Sequence, residues 1–270
     1  MHDVAFAYMR FDTVTGNFLD SVMDLLAYDL SRSQRIGVPI RTAIPSMGII
    51  EGANKTVETF LAGDQEWLFW LDADMGFPPD TLDRLMAAVD PIERPAVGAL
   101  VFKYHHLEPD KCNGVLAEER PVILDWGADE TGQPGFMCRR TYPENALIRC
   151  DATGMACVVI HRSVHEAILA EYGPVWHTPL PWPGNEGSLL GPDVSFWARA
   201  AQVGKKLHVH TGAHTNHAKT IFVSHASYSA RLAAVDMTPH DGTEAERKAP
   251  PVGTPVQNRA ERRRLAKANG

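Results

Sequence analysis

The stretch EWLFWLDADMGFPPDTLDRLM, residues 66 to 86, constrains the fold more than any other part of the chain. Trp67 to Leu71 is a near-continuous apolar run, the pattern of a strand buried on both faces. It stops at Asp72-Ala73-Asp74, and a helical pattern from Pro79 to Val89 follows, with proline placed for the first turn. Residues two apart on a strand share a face, so the end of this strand aims two carboxylates the same way. Two convergent carboxylates at the mouth of a buried sheet suit a hard divalent cation that also holds a diphosphate. The plainer alternative is an aspartate-rich turn, which the three residues alone favour. The flanking sequence has to decide.

That sequence alternates. Val4 to Met9 reads as a buried strand, and Phe18, Val22, Leu25, Leu26 and Leu30 recur at helical spacing. Val38 to Ile44 reads as a second strand, Ala53 to Leu61 as a helix and Pro95 to Phe102 as a strand. Strand–helix alternation predicts an α/β sheet that is mostly parallel, with ligands bound beyond the carboxyl ends of its strands. Asp72 and Asp74 fall at that edge. Tyr104 to Arg149 is turn-rich and suits one or two β-hairpins. Met155 to Ile160 reads as a strand, Val164 to Tyr172 as a helix, Asp193 to Val203 as a helix and Lys206 to His210 as a short strand. Between them, residues 173 to 191 are loaded with Pro, Gly and Trp, the composition of a lid or binding loop. Its Trp176 and Trp182 suit either stacking on a sugar ring or packing of the loop.

A chain of 270 residues can bury a sizeable core. Its net charge of -7 offers no general attraction to nucleic acid or anionic membrane. Cys112, Cys138, Cys150 and Cys157 lack CxxC spacing, which argues against a zinc site or disulfide framework. No apolar run is long enough for a membrane span, and no signal-peptide pattern opens the chain, so the expected location is cytoplasmic. From residue 238 the composition shifts to a Pro-rich linker and a basic stretch with Arg259, Arg262, Arg263, Arg264 and Lys267. The expected division is therefore a catalytic domain over 1–237 and a flexible linker with a basic tail over 238–270.

Residues 70 to 80, WLDADMGFPPD, resemble the DxD element of glycosyltransferases with the GT-A fold, particularly family-2-like enzymes of bacteria and their phages. Upstream, Asn54 matches the asparagine of the family's Arg-Asn pair; Ala53 replaces the arginine, and Lys55 is a candidate for the missing charge. Residues 191 to 204, GPDVSFWARAAQVG, resemble the family's Gly-Glu-Asp signature, with Pro192 in place of the glutamate. The resemblance makes Asp193 the general base of an inverting transfer. As the opening residue of a helix it also suits capping. A histidine after the last core strand is often a third metal ligand in such enzymes, and His217 best fits that spacing, with His214 as the alternative.

The resemblance implies a GT-A, Rossmann-like α/β fold, a mostly parallel mixed sheet flanked by helices. It implies transfer from a nucleotide-sugar donor, a UDP- or GDP-sugar, to a glycan, protein or small-molecule hydroxyl. Mn2+ or Mg2+ would be held by Asp74, Asp72 and His217; one imidazole beside carboxylates takes Mn2+ more readily. Asp72 would bind the ribose or the metal through water. Tyr8 and Arg10 follow the first strand where the family binds the base, although Ala7 replaces its usual proline. Thr153-Gly154-Met155 matches the stretch beside the donor sugar. Two rival readings remain: a sugar-phosphate nucleotidyltransferase, which would want a richer phosphate loop than Ala7 to Gly16 offers, and a non-catalytic nucleotide-sugar-binding module.

Overall fold

The computed structural model describes residues 2–106, 117–183, 185 and 187–219, all within a unit spanning residues 1–223. Cys112 and the basic tail expected over 238–270 lie outside the described residues.

A seven-stranded sheet organises this unit. It comprises β1 (Val4–Arg10), β2 (Ile40–Ala43), β3 (Trp67–Asp72), β5 (Ala96–Leu100), β10 (Leu147–Cys150), β11 (Cys157–His161) and β12 (Leu207–His214). Their order is β10-β12-β5-β11-β3-β1-β2. The sheet is mixed and mostly parallel: β10 and β11 run against the other strands. Among the described residues six further strands lie outside it: β4 (Met75–Gly76), β6 (Phe102–His106), β7 (Ala117–Pro121), β8 (Leu124–Ala128), β9 (Pro134–Cys138) and β13 (Asn216–His217). The expected hairpins of the middle region are β6 with β7 and β8 with β9.

Strand alternation divides the core in two. Leu68 and Trp70 of β3 join Phe60, Trp176, Phe196 and Trp197 on one face. Trp67, Phe69 and Leu71 join Phe6, Phe18, Leu25 and Leu85 on the other. The first face is covered by α2 (Ile49–Leu61), α4 (Arg162–Tyr172) and α5 (Pro192–Gln202), the second by α1 (Gly16–Ser31) and α3 (Thr81–Ala88). With helices on both faces, β3 carries only apolar side chains until it emerges at Asp72.

Several boundaries differ from expectation for local reasons. α2 starts four residues early, at Ile49, because Gly48 at φ 82° turns the chain into the helix. α3 starts at Thr81, so Pro79 precedes the helix instead of occupying its first turn. Asp80, at the cap position, spends its carboxylate on Arg84 Nε at 2.7 Å. β11 is antiparallel to both its neighbours, which periodicity cannot reveal. β12 runs on to His214 through a register shift after His210.

His165 of α4 is fully buried between Phe60 and Phe196, and neither ring nitrogen has a hydrogen-bond partner among the described residues. Burial, helped by the charges of His177, Arg162 and His161, pushes its pKa down to about 3. The unfolded chain therefore takes up a proton that the folded chain refuses. The resulting loss of stability begins as pH falls below about 6.5 and grows by about 1.4 kcal/mol per pH unit. Denaturant titrations at pH 7 and pH 5 should show His165→Met losing about 2 kcal/mol less than wild type between them.

Candidate active site

The antiparallel insertion of β11 builds the site. Because β11 enters the sheet where β3 leaves it, the segment before it, residues 153–156, runs beside the acidic turn. Asp72 N donates to Ala156 O at 3.0 Å. α5 starts at the same edge, and Met155 N donates to Asp193 Oδ2 at 3.1 Å. From the other side β13 pairs with β4, setting His217 opposite Met75, and Ala218 N donates to Asp74 O at 2.9 Å. A cavity of about 650 Å³ opens between these segments, lined by Asp72, Asp74, Gly154, Asp193 and His217 among others.

The three carboxylates are in different electrostatic states. Asp74 Oδ2 lies 3.2 Å from His217 Nε2 and 2.8 Å from Lys219 Nζ. Burial opposes its ionisation, but those two hydrogen bonds outweigh burial and hold its pKa at about 2. Asp72 is pushed up to about 7, first by burial and then by the negative charges of Asp193 and Asp74. Asp193 is raised by burial, with the Met155 N–H acting against it. His217 is raised despite its burial, by Asp74 and by the Phe102 carbonyl that accepts from Nδ1 at 2.9 Å.

Asp74 and His217 fit a divalent cation as a pair. The Phe102 carbonyl fixes Nδ1 as the protonated nitrogen, so a neutral His217 presents its Nε2 lone pair towards Asp74. No group of three or more His, Cys, Asp or Glu side chains with metal-holding geometry occurs among the described residues. The expected three-ligand set with Asp72 is thus not assembled by the protein alone; the remaining positions would fall to ligand oxygens and water. His214 is exposed and lies outside the cavity.

Other expected site residues are placed elsewhere. Lys55 pairs with Glu58 at 3.0 Å on the exposed side of α2 and does not replace the missing arginine. Arg10 Nη1 turns back to Phe11 O at 3.0 Å. Tyr8 packs against Phe6 and Phe18 in the second core, away from the cavity. Asn54 lies outside the cavity and anchors the 173–191 loop, its Oδ1 accepting from His177 N at 2.8 Å. Asp193 does not cap α5: Gly191 is the cap residue and Pro192 opens the helix. Trp176 Nε1 donates to His165 O and Trp182 Nε1 to Pro134 O, so both tryptophans pack their loop onto the body. Gly154 faces Asp193, 3.9 Å separating a Cβ built on it from Oδ2. Two lysines escaped the sequence reading, Lys103 on the cavity wall and Lys219 on Asp74. The AK that follows His217 was the available signal for the second.

No family model matches the sequence, and no curated protein matches it. Among solved structures, GalNAc-T7 with UDP, GalNAc and Mn2+ aligns over 79% of this chain at 11% identity, with a TM-score of 0.50. The alignment covers 43% of that chain, so the protein spans less than half of its length. The fold is that of a GT-A glycosyltransferase. A197 from STIV aligns over 80% of this chain and 86% of its own, at 12% identity and a TM-score of 0.44. No helix among the described residues is long and apolar enough to cross a membrane.

A cation taken up at Asp74 would compete with the Lys219 ammonium for Oδ2, a partly exposed ion pair of modest strength. Lys219→Met should therefore bind Mn2+ about two- to fivefold more tightly than wild type in calorimetric titration. Asp74→Ala should lose that binding.

Proposed function

We propose that the protein is a metal-dependent glycosyltransferase that moves a sugar from a nucleoside-diphosphate sugar to an acceptor hydroxyl with inversion. One observation carries this reading: the Asp72–Asp74 pair, Asp193 and His217, far apart from one another in sequence, line one cavity at the carboxyl edge of a GT-A sheet. Asp74 and His217 would hold Mn2+ or Mg2+, which when bound supplies a Lewis acid for the departing diphosphate. Lys103 and Lys219 add positive charge at that end of the cavity, which suits the same diphosphate. Asp72 contacts the ribose, or the metal through water.

Asp193 accepts the proton of the acceptor hydroxyl as its oxygen attacks the anomeric carbon. The bond from that carbon to the diphosphate oxygen breaks, and its electron pair leaves with the nucleoside diphosphate. Burial favours this role, because a carboxylate with a raised pKa is the stronger base. The backbone N–H of Met155 holds one carboxylate oxygen and leaves the other for the acceptor. Gly154 keeps the space beside Asp193 open for the reacting sugar.

Two substitutions test the assignment, with turnover of UDP-, GDP- and dTDP-sugars followed in the presence of Mn2+. Asp193→Asn should lower transfer by about 10²- to 10⁴-fold while donor affinity stays within about twofold. Transfer at the wild-type rate would remove the base from the mechanism. Gly154→Ala should fold normally, since its methyl would meet no atom closer than 3.8 Å, yet lose transfer by about tenfold or more through misplaced substrate.

A further inference from the structure

One face of α1 is apolar and is left uncovered by the described residues. The helix turns Phe18, Ser21, Leu25 and Asp29 inward, where all four are buried. Leu19, Met23, Leu26 and Leu30 are instead 53%, 62%, 38% and 73% exposed. Sequence periodicity groups Leu26 and Leu30 with Phe18 and Leu25; the folded helix separates them. At about 100° per residue the four exposed side chains form one stripe, roughly 125° around the helix from its buried face. Together they leave roughly 400 Å² of apolar surface in water, a size at which a patch on a monomer marks an interaction site. Single exposed leucines are ordinary. Four on one line are not.

The stripe's borders and spacing select what can lie on it. Gly16, Val22 and Ala27 flank it, all small or apolar, and no charged residue of α1 falls within roughly 80° of its midline. Nothing on it would select a charged partner. An anionic membrane would be repelled by Asp20 and Asp24 on the adjacent solvent face and by the net charge of -7. Read from either end, the steps along the stripe are four, three and four residues. A patch with that symmetry matches itself across a two-fold axis, the requirement of an isologous interface. Laid antiparallel, two copies set Leu19 against the partner's Leu30 and Met23 against the partner's Leu26.

We infer that the protein forms a two-fold dimer in which α1 packs antiparallel against α1 of a second copy. Four–three spacing is the one by which helices pack side by side at a shallow angle, each side chain seated between those of its neighbour. The two stripes with their polar rims approach about 1,000 Å² of buried surface, the low end for a specific interface. The dimer is therefore reversible, with an expected Kd of about 1–100 μM. Because the helices run in opposite directions, their N-termini lie at opposite ends of the pair, about 24 Å apart for a helix of 16 residues. Thr13, Val14 and Thr15, just before each helix, line that copy's cavity. Pairing along the stripe thus keeps the two cavities apart, and the inference does not rest on the transferase reading.

Sedimentation velocity of the full chain from about 1 to 300 μM tests this, a range that brackets the expected Kd. The wild type should pass from monomer to dimer across it. Met23→Glu and Leu30→Glu should each weaken the dimer by about tenfold or more, since each sets a charge into an apolar seam. Both residues are exposed in the monomer, so these variants should keep the wild-type melting profile at the lowest concentration. Leu30→Met should retain the dimer, and Asp24→Ala, off the stripe, should leave its Kd within about twofold. Orientation is read by oxidising an equal mixture of Leu19→Cys and Leu30→Cys chains and mapping the crosslinked peptides. Antiparallel pairing gives the mixed bond between positions 19 and 30. A wild type that stays monomeric throughout overturns the inference, as does a dimer whose Kd the glutamate variants leave unmoved. Bonds confined to 19 with 19 and 30 with 30 overturn the antiparallel pairing.

Discussion

The pairing of β3 with β11 is the interaction on which the site depends. β3 lies between β1 and β11, with helices on both faces, and in such a position a strand can place polar groups only where it leaves the sheet. Because β11 runs antiparallel, its beginning meets the end of β3, and the register sets Cys157 beside Leu71. One further hydrogen bond, Asp72 N to Ala156 O, continues the ladder past the strand and brings Gly154 and Met155 alongside the acidic turn. Met155 then holds Asp193. A parallel strand in the same position would begin at the opposite edge of the sheet, and its entry segment would meet neither aspartate.

Burial raises all three carboxylates, and their neighbours sort them into roles. Asp74 is buried enough to resist ionisation, yet two cationic hydrogen-bond donors hold it charged, the condition a cation ligand needs. Asp72 is buried, has no such donors among the described residues and takes the repulsion of Asp193 and Asp74, so its pKa is pushed up to about 7. Asp193 has a single backbone N–H and little else. Three carboxylates thus sit at one edge without three full negative charges repelling one another, a repulsion that would otherwise oppose folding.

Much of the fold was legible because its signals are local. The run Trp67 to Leu71, the helical spacing from Phe18 to Leu25 and the turn-rich middle each report their own element. The direction of β11 was not legible, since a five-residue apolar strand reads the same either way. The acidic residues were found because carboxylates at a strand end and at a helix start have recognisable neighbours. Tyr8, Arg10 and Lys55 were misplaced because sequence position fixes an element but not where its side chain points: Lys55 is one residue from Asn54 and faces solvent.

The central claim is that the acidic edge holds a nucleoside diphosphate through a cation bound at Asp74 and His217. The most direct measurement is the thermal stability of the protein with UDP or GDP, each with Mn2+ and then with excess chelator. The account predicts stabilisation of about 2.7 kcal/mol at a ligand concentration of 100 Kd, abolished by the chelator and absent from Asp74→Ala. Nucleotide stabilisation that survives both the chelator and the substitution would contradict it.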